Sequence, residues 1–387
     1  MHQTSLINTQ RAWESAAAKF SREPELALDT ESNSLYAYRE RICLIQMGTR
    51  EETLLVDPLA IKDLSTLGEL LGDPSIVKIL HGSDYDLRSF DRDYGFKVQA
   101  LFDTETAARF LGQTSPNLAS VLETFLGIGI PKSRKVQRSN WAVRPLTPLA
   151  REYATNDVRY LVQLACELRQ RLAMVDRLDW VQEECRRMEQ VRYIQPDPPQ
   201  LAFLRARGTE QLGPQALAVF QELFLWRDAE ARRCDRPPFR VVGNEALAHL
   251  AQVSTSVSRV SLEKVVKAAA NAPKEYWHGM QGAIEQGLAA PEVHRPQSLR
   301  NGTPWGPECR VKLQRLKQWR TRRAASLELD PALLWPAASL ERLALQPLDW
   351  RAEVLNTTNA DVRAWQRREF GQELRAVLGV GDEAQAS

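Results

Sequence analysis

Residues 195–200 read QPDPPQ, three prolines within six positions. Proline lacks a backbone N–H and has a fixed φ, so neither a helix nor a central strand continues through such a stretch. The chain is thereby divided into a first unit, 1–194, and a second that begins at 201, with 195–200 as the linker. Of 387 residues 43% are hydrophobic and 26% charged, enough apolar material for more than one core.

The first unit alternates strand-like and helix-like text. Segments 25–29 (ELALD), 42–47 (ICLIQM), 53–56 (TLLV) and 76–80 (IVKIL) are short apolar runs of the kind that fill buried strands. The first three lie close together, which favours antiparallel neighbours. Helices are expected at about 64–71, 86–93, 104–111 and 119–126, with long helices from 148 to 191. The predicted class is α/β with a mixed sheet flanked by helices.

Beyond the linker no strand is predicted. The helical text contains a weak repeat: 220–227 (FQELFLWR) resembles 313–320 (LQRLKQWR). The same offset carries Pro238 onto Pro331. It also carries Leu247, Leu250 and Ala251 onto Leu340, Leu343 and Ala344. This register suggests two copies of one helical module. The boundaries read as 201–290 for the first, 291–303 for a Gly- and Pro-containing connection, 304–380 for the second and 381–387 for a frayed tail.

Composition excludes some classes. A net charge of +2 does not by itself predict a nucleic-acid partner. Five cysteines (Cys43, Cys166, Cys185, Cys234 and Cys309) are scattered without a C-x-x-C pair. That argues against a disulfide framework or a thiolate zinc site and fits a reducing compartment. The N-terminus does not read as a signal peptide, and no segment approaches the roughly 18 apolar residues of a membrane span. A cytoplasmic protein with no obligate protein partner is expected.

The chemistry is carried by carboxylates. Asp29 and Glu31 lie two apart at the end of a predicted strand, so both point to one face. Adjacent carboxylates repel unless a cation neutralises them, and hard oxygen ligands suit Mg²⁺ or Mn²⁺. Alone the pair says little, since D-x-E is common on solvated surfaces. The segment 81–87 (HGSDYDL) follows the predicted strand 76–80. It places Asp86 at the strand's C-terminal edge, where ligands gather in open α/β sheets. Asp84 competes with it and would otherwise cap the helix. His81 reads as a structural neighbour rather than a ligand. Tyr153 and Asp157, four apart in EYATNDVRYL, share one helical face. Together, four carboxylates from these separate segments could hold two divalent cations roughly 3.5–4 Å apart, as in two-metal phosphodiester chemistry. Tyr153 would orient the attacking water.

This order of motifs resembles the DEDD exonucleases, and Tyr153 marks the tyrosine subtype. The segment 132–161 (KSRKVQRSNWAVRPLTPLAREYATNDVRYL) is similar to ribonuclease D and to the related eukaryotic exosome nuclease, as are HGSDYDL and LFDTETAARFL at 101–111. The similarity spans about 25–168, with no expected catalytic residue missing, and it implies Asp29, Glu31, Asp86 and Asp157 as the metal ligands and Tyr153 as the residue that positions the water. The resemblance implies a ribonuclease H-like exonuclease domain. It also implies a metal-dependent 3′→5′ exoribonuclease that trims single-stranded 3′ ends of tRNA precursors and other stable RNAs to nucleoside 5′-monophosphates. Asp103, in the FDT motif, reads as a helix cap. The stretch 217–251 resembles the helicase-and-ribonuclease-D C-terminal (HRDC) module, a helical bundle that often aids nucleic-acid binding. The second copy lacks the DRPPF text of the first. No G-K-[ST] loop supports a helicase motor.

Local charge agrees with RNA. From 124 to 151 there is no Asp or Glu, but there are Lys132, Arg134, Lys135, Arg138, Arg144 and Arg151, with Trp141 among them. Such text tracks a phosphate backbone and stacks a base. The run 310–323 either contacts phosphates or forms a solvated basic face. Two rivals stay open: a 3′→5′ DNA exonuclease, and an RNA-binding scaffold without catalysis.

Overall fold

A computed structural model describes residues 2–131, 133–256, 273–295, 306–346 and 361–380. The expected RNA contact Lys132, the connection at 296–303 and the tail 381–387 lie outside the described residues.

The first unit is built on a six-stranded mixed sheet in the order β1-β4-β3-β2-β5-β6. The strands are β1 (Gln3–Ile7), β2 (Glu25–Ser32), β3 (Ile42–Gly48), β4 (Glu52–Val56), β5 (Val77–Leu80) and β6 (Leu101–Asp103). As expected, β2–β3 and β3–β4 are antiparallel. The pairs β1–β4, β2–β5 and β5–β6 are parallel. Every residue of β3 is buried, because helices cover both sheet faces. The edge strands β1 and β6 escaped the sequence reading. QTSLI is polar at an open edge, and LFD is only three residues long.

The helices of this unit are α1 (Gln10–Phe20), α2 (Ser65–Gly72), α3 (Asp84–Tyr94), α4 (Thr104–Phe110), α5 (Leu118–Leu126), α6 (Arg134–Gln137), α7 (Pro148–Arg159), α8 (Leu161–Met174) and α9 (Leu178–Met188). The helix α7 crosses β2, β3 and β4, and α8 packs on β2 and β5.

The second unit is helical throughout its described residues. Helices Pro214–Arg233, Pro238–Val241, Asn244–Ser254 and Trp277–Ala289 enclose a core of Phe220, Leu223, Leu247, Leu250, Met280 and Ile284. Helices Pro307–Ser326, Pro331–Leu334, Ala337–Leu345 and Ala364–Leu378 repeat that order. The repeated Trp-Arg pair explains itself. Arg227 donates to the Val242 carbonyl at 2.9 Å, and Arg320 donates to the Trp335 carbonyl at 3.0 Å. Each guanidinium ties the long helix to the end of the short one.

The two helical groups meet the sheet unit differently. The first docks through the loop between β2 and β3. Tyr38 donates its hydroxyl to Asp228 at 2.9 Å and its N–H to Asp235 at 3.0 Å, and the Arg240 guanidinium lies 4.3 Å from the Tyr36 ring centroid. The second shares a continuous apolar core with the sheet unit, in which Trp335, Trp365 and Phe370 join Phe110 and Trp180. Among the described residues no helix is long and apolar enough to cross a membrane.

Candidate active site

The strand β2 presents Asp29 and Glu31 on one face, opposite Gln46 and Leu44 of β3. It also outruns its other neighbour, since pairing with β5 ends at Ala27↔Ile79. The gap beyond β5 is filled by the first turn of α3. There Asp86, 5% exposed, accepts a hydrogen bond from the Thr30 hydroxyl at 2.5 Å.

The turn that delivers α3 is held from below. Gly82 adopts a left-handed φ of 74°, a backbone conformation that favours glycine, and a Cβ there would also displace the carboxylate end of Glu105. Asp103 accepts from the Ser83 N–H at 2.8 Å and from the Thr106 N–H at 2.7 Å. It is the cap of α4, as its sequence context indicated. One ring nitrogen of His81 donates to the Pro116 carbonyl at 2.7 Å and the other faces the Thr104 hydroxyl at 2.9 Å, a structural role. Asp84 is not the helix cap anticipated for it. It lies inside α3, exposed, in a two-point ion pair with Arg88 (2.8 and 3.1 Å). The cap position falls to Ser83, whose hydroxyl is not used for capping.

The third wall is α7. Its start is fixed by Thr147, whose hydroxyl accepts from the Ala150 N–H, and by Pro148 in the first turn. One face of α7 turns Tyr153, Asn156 and Asp157 into a cavity of about 580 Å³ that also contains Asp29, Glu31, Arg134 and Gln137. Carboxylate oxygens of Asp29, Glu31 and Asp157 come within 4.8 Å of one another. The structure therefore assembles three of the four expected ligands, with Asp86 buried beside them.

Burial and mutual repulsion raise the acids of this cluster together. Burial, then the charges of Asp86, Asp157 and Glu31, push Asp29 well above the usual carboxylate range. Burial followed by Asp157 and Asp86 does the same to Glu31. Asp86 is raised to about 7 by burial, against its hydrogen bonds from Thr30. Asp157 is raised to about 7 by burial and by Asp86. Among the described residues no lysine or arginine forms an ion pair with any of the four. A compact set of oxygen donors without a basic counter-ion fits a hard divalent cation.

The basic segment before α7 divides in two. Arg134, Lys135 and Arg138 are exposed, and Arg134 reaches the cavity wall. Trp141 and Arg144 require correction. Trp141 is 1% exposed, packed with Leu44, Leu55, Ala150 and Ala154, so it offers no face to a base. Arg144 holds Asp57 through two bonds (2.6 and 2.7 Å) and donates to the Cys43 and Trp141 carbonyls. Both anchor the loop on the sheet. Glu105, Asn117 and Gln137 also line the cavity. Sequence reasoning passed over them because each carries an ordinary helix-end or surface signature.

Comparison with known proteins places the chain in a family. Residues 5–173 match the family described as 3′-5′ exonuclease, and 216–265 match the HRDC domain. The chain is 30% identical over 357 residues to Ribonuclease D of Pseudomonas paraeruginosa, covering 92% of each protein. It is 33% identical over 299 residues to Ribonuclease D of Escherichia coli, covering 76% of this chain and 78% of that one. The crystal structure of Escherichia coli RNase D, an exoribonuclease involved in structured RNA processing, superposes with a TM-score of 0.68 and 27% identity over 97% of this chain and 98% of that chain. The chain thus belongs to the ribonuclease D family and is a hydrolase, a 3′→5′ exoribonuclease of that type.

Proposed function

We propose that this exoribonuclease removes nucleotides one at a time from single-stranded 3′ tails of structured RNAs, tRNA precursors among them, and stops where a stem begins. The observation that carries the reading is the uncompensated carboxylate cluster at the end of β2, open to a cavity with an arginine on its wall. In this reading Asp29, Glu31, Asp86 and Asp157 hold two Mg²⁺ or Mn²⁺ ions. When bound, the cations supply Lewis-acid charge to the attacking water and the leaving 3′ oxygen.

The residues of the chain supply position. The carboxylates fix where the scissile phosphate lies. Tyr153 shares the α7 face with Asp157, and burial with the nearby Asp157, Glu31 and Asp29 charges pushes its phenol up. It stays protonated, so it orients the water by hydrogen bonding rather than deprotonating it. The water oxygen bonds to phosphorus as the P–O3′ bond breaks. A proton passes to the leaving O3′, and a nucleoside 5′-monophosphate departs. Arg134, Lys135 and Arg138 are suited to hold the phosphates upstream. The first helical group, within 201–290, is read as an HRDC domain that adds RNA-binding surface. The second, within 304–380, is read as its divergent copy.

The test is a time course on a 5′-labelled RNA hairpin with a single-stranded 3′ tail, in Mg²⁺, Mn²⁺ and EDTA, beside Asp157→Asn. The reading expects a ladder that shortens to the stem, requires metal and is absent in the variant. Faster loss of a matched DNA hairpin would favour the DNA exonuclease. An intact substrate in every lane would favour a scaffold.

A further inference from the structure

The strand β3 is apolar except for one long polar side chain, Gln46 in ICLIQMG. Gln46 is 0% exposed, and neither its Oε1 nor its Nε2 has a hydrogen-bond partner among the described residues. A buried amide left in this state destabilises a fold, and an apolar side chain of the same shape would not. The sequence signal is a lone glutamine inside a buried strand.

Its surroundings limit what it can serve. The antiparallel register sets Gln46 directly opposite Asp29, and such partners share a sheet face with Cβ atoms roughly 4.5–5.5 Å apart. On its other side lies Leu55 of β4, fully buried and apolar. Two residues along, Gly48 abuts α7 so closely that a Cβ would lie 3.2 Å from the Val158 carbonyl. Two residues the other way, Leu44 packs in one cluster with Ala154. Gln46 therefore lies beneath the turn of α7 that carries Asp157, with the Asp29 carboxylate as its cross-strand neighbour.

We propose that Gln46 is a positioning residue for Asp29: its free Nε2, unbonded in this arrangement, turns to donate to the cross-strand Asp29 carboxylate when the divalent cation binds, and holds it in the ligating orientation. This rests on the reading of Asp29 as a metal ligand. An amide suits the task because it donates without adding positive charge. A lysine or arginine there would neutralise the cluster and compete with the cation.

The experiment compares wild type with Gln46→Met, which keeps length and removes the donor. Mn²⁺ binding is followed by electron paramagnetic resonance, with thermal melting and kinetics alongside. Gln46→Met is expected to melt, without metal, at or above the wild-type temperature. It should bind Mn²⁺ about 10–100-fold more weakly, the range typical of residues that orient metal ligands. Its kcat should fall at limiting Mn²⁺ and recover at high Mn²⁺, with KM for RNA unchanged. Wild-type Mn²⁺ affinity in the variant would overturn the proposal. If Gln46→Met does not fold, Gln46→Leu serves under the same criteria. Asp29→Asn runs in parallel. If it retains Mn²⁺ binding, the ligand assignment of Asp29 fails; if it loses binding and Gln46→Met does not, only the role of Gln46 fails.

Discussion

The indoles of Trp180 and Trp365 lie face to face, their ring centroids 4.5 Å apart and their planes inclined by 16°. Trp180 belongs to α9 of the exonuclease unit, and Trp365 lies in the first turn of the last described helix, Ala364–Leu378. Phe110 and Phe370 meet Trp365 edge-on. Glu183 accepts from the Ala364 and Trp365 N–H groups at 2.6 and 3.0 Å, so a residue of α9 caps the far helix. Glu184 pairs with Arg363 at 2.8 Å. The second helical group is thus built into the nuclease rather than tethered to it.

Trp365→Ala should consequently destabilise the exonuclease unit itself. Removing a buried aromatic of this size costs about 3–5 kcal/mol. Calorimetry should show the whole nuclease transition shifted down. An unshifted exonuclease transition would mean that the two parts melt independently.

Tyr153→Phe removes one hydroxyl and keeps the ring that packs near Trp141, centroids 6.2 Å apart. Stability and Mn²⁺ affinity should change little. The turnover rate should fall by a factor on the order of 10², the scale on which a mispositioned reactant slows a reaction. Single-turnover kinetics on a short RNA would measure it.

Acidity enters with a definite sign. Asp86 and Asp157 titrate near 7 in the fold, above the ordinary value of 3.8. Between those values the folded state holds more protons than the unfolded one. Their stabilising contribution is therefore complete below the ordinary value and lost as pH rises through about 7. Metal-free protein should melt lower at pH 8 than at pH 5.5 on this account. Asp157→Asn should raise the metal-free melting temperature at pH 8 while abolishing activity. Mn²⁺ should stabilise the wild type more at pH 8 than at pH 5.5, where it must displace protons. Melting curves at the two pH values, with and without EDTA, decide this.

The two halves of the basic segment should separate in mutagenesis. Arg134→Glu combined with Arg138→Glu should raise KM for RNA and flatten its salt dependence, with an unchanged melting temperature. Trp141→Ala should instead cost stability, about 3–5 kcal/mol for a buried indole. If Trp141→Ala left stability intact and weakened RNA binding alone, its placement in the loop anchor would be wrong.

The sheet was legible where apolar runs were long enough to show, as in ELALD and ICLIQM, and hidden where an edge strand was polar or three residues long. At the site, spacing gave directions well: i,i+2 on β2 and i,i+4 on α7 turned Asp29, Glu31, Tyr153 and Asp157 into one cavity. Asp86 was preferred to Asp84 through the resemblance of HGSDYDL, and the structure adds the physical difference: Asp86 is buried against Thr30, whereas Asp84 is exposed and paired with Arg88. Trp141 shows the opposite limit. A tryptophan among arginines reads alike whether its ring meets a base or the sheet, and sequence carries no record of which way it faces. The sharing of one core between the sheet and the last helices was also invisible, since apolar periodicity does not name its partner.

Asp29 and Asp157 come from distant points of the chain, and only the closing of α7 over β2 and β3 brings them together. A ribosome adds on the order of 5–20 residues per second, so several seconds separate their synthesis. On the proposed ligand assignment, a nascent chain has no cutting centre during that interval, however well its first strands have formed. The same holds for fragments: a proteolytic product lacking α7 retains Asp29, Glu31 and Asp86 on β2 and α3 but loses Asp157 and the helix that closes the site. On that assignment, the enzyme therefore becomes able to attack RNA only once α7 has closed over the sheet.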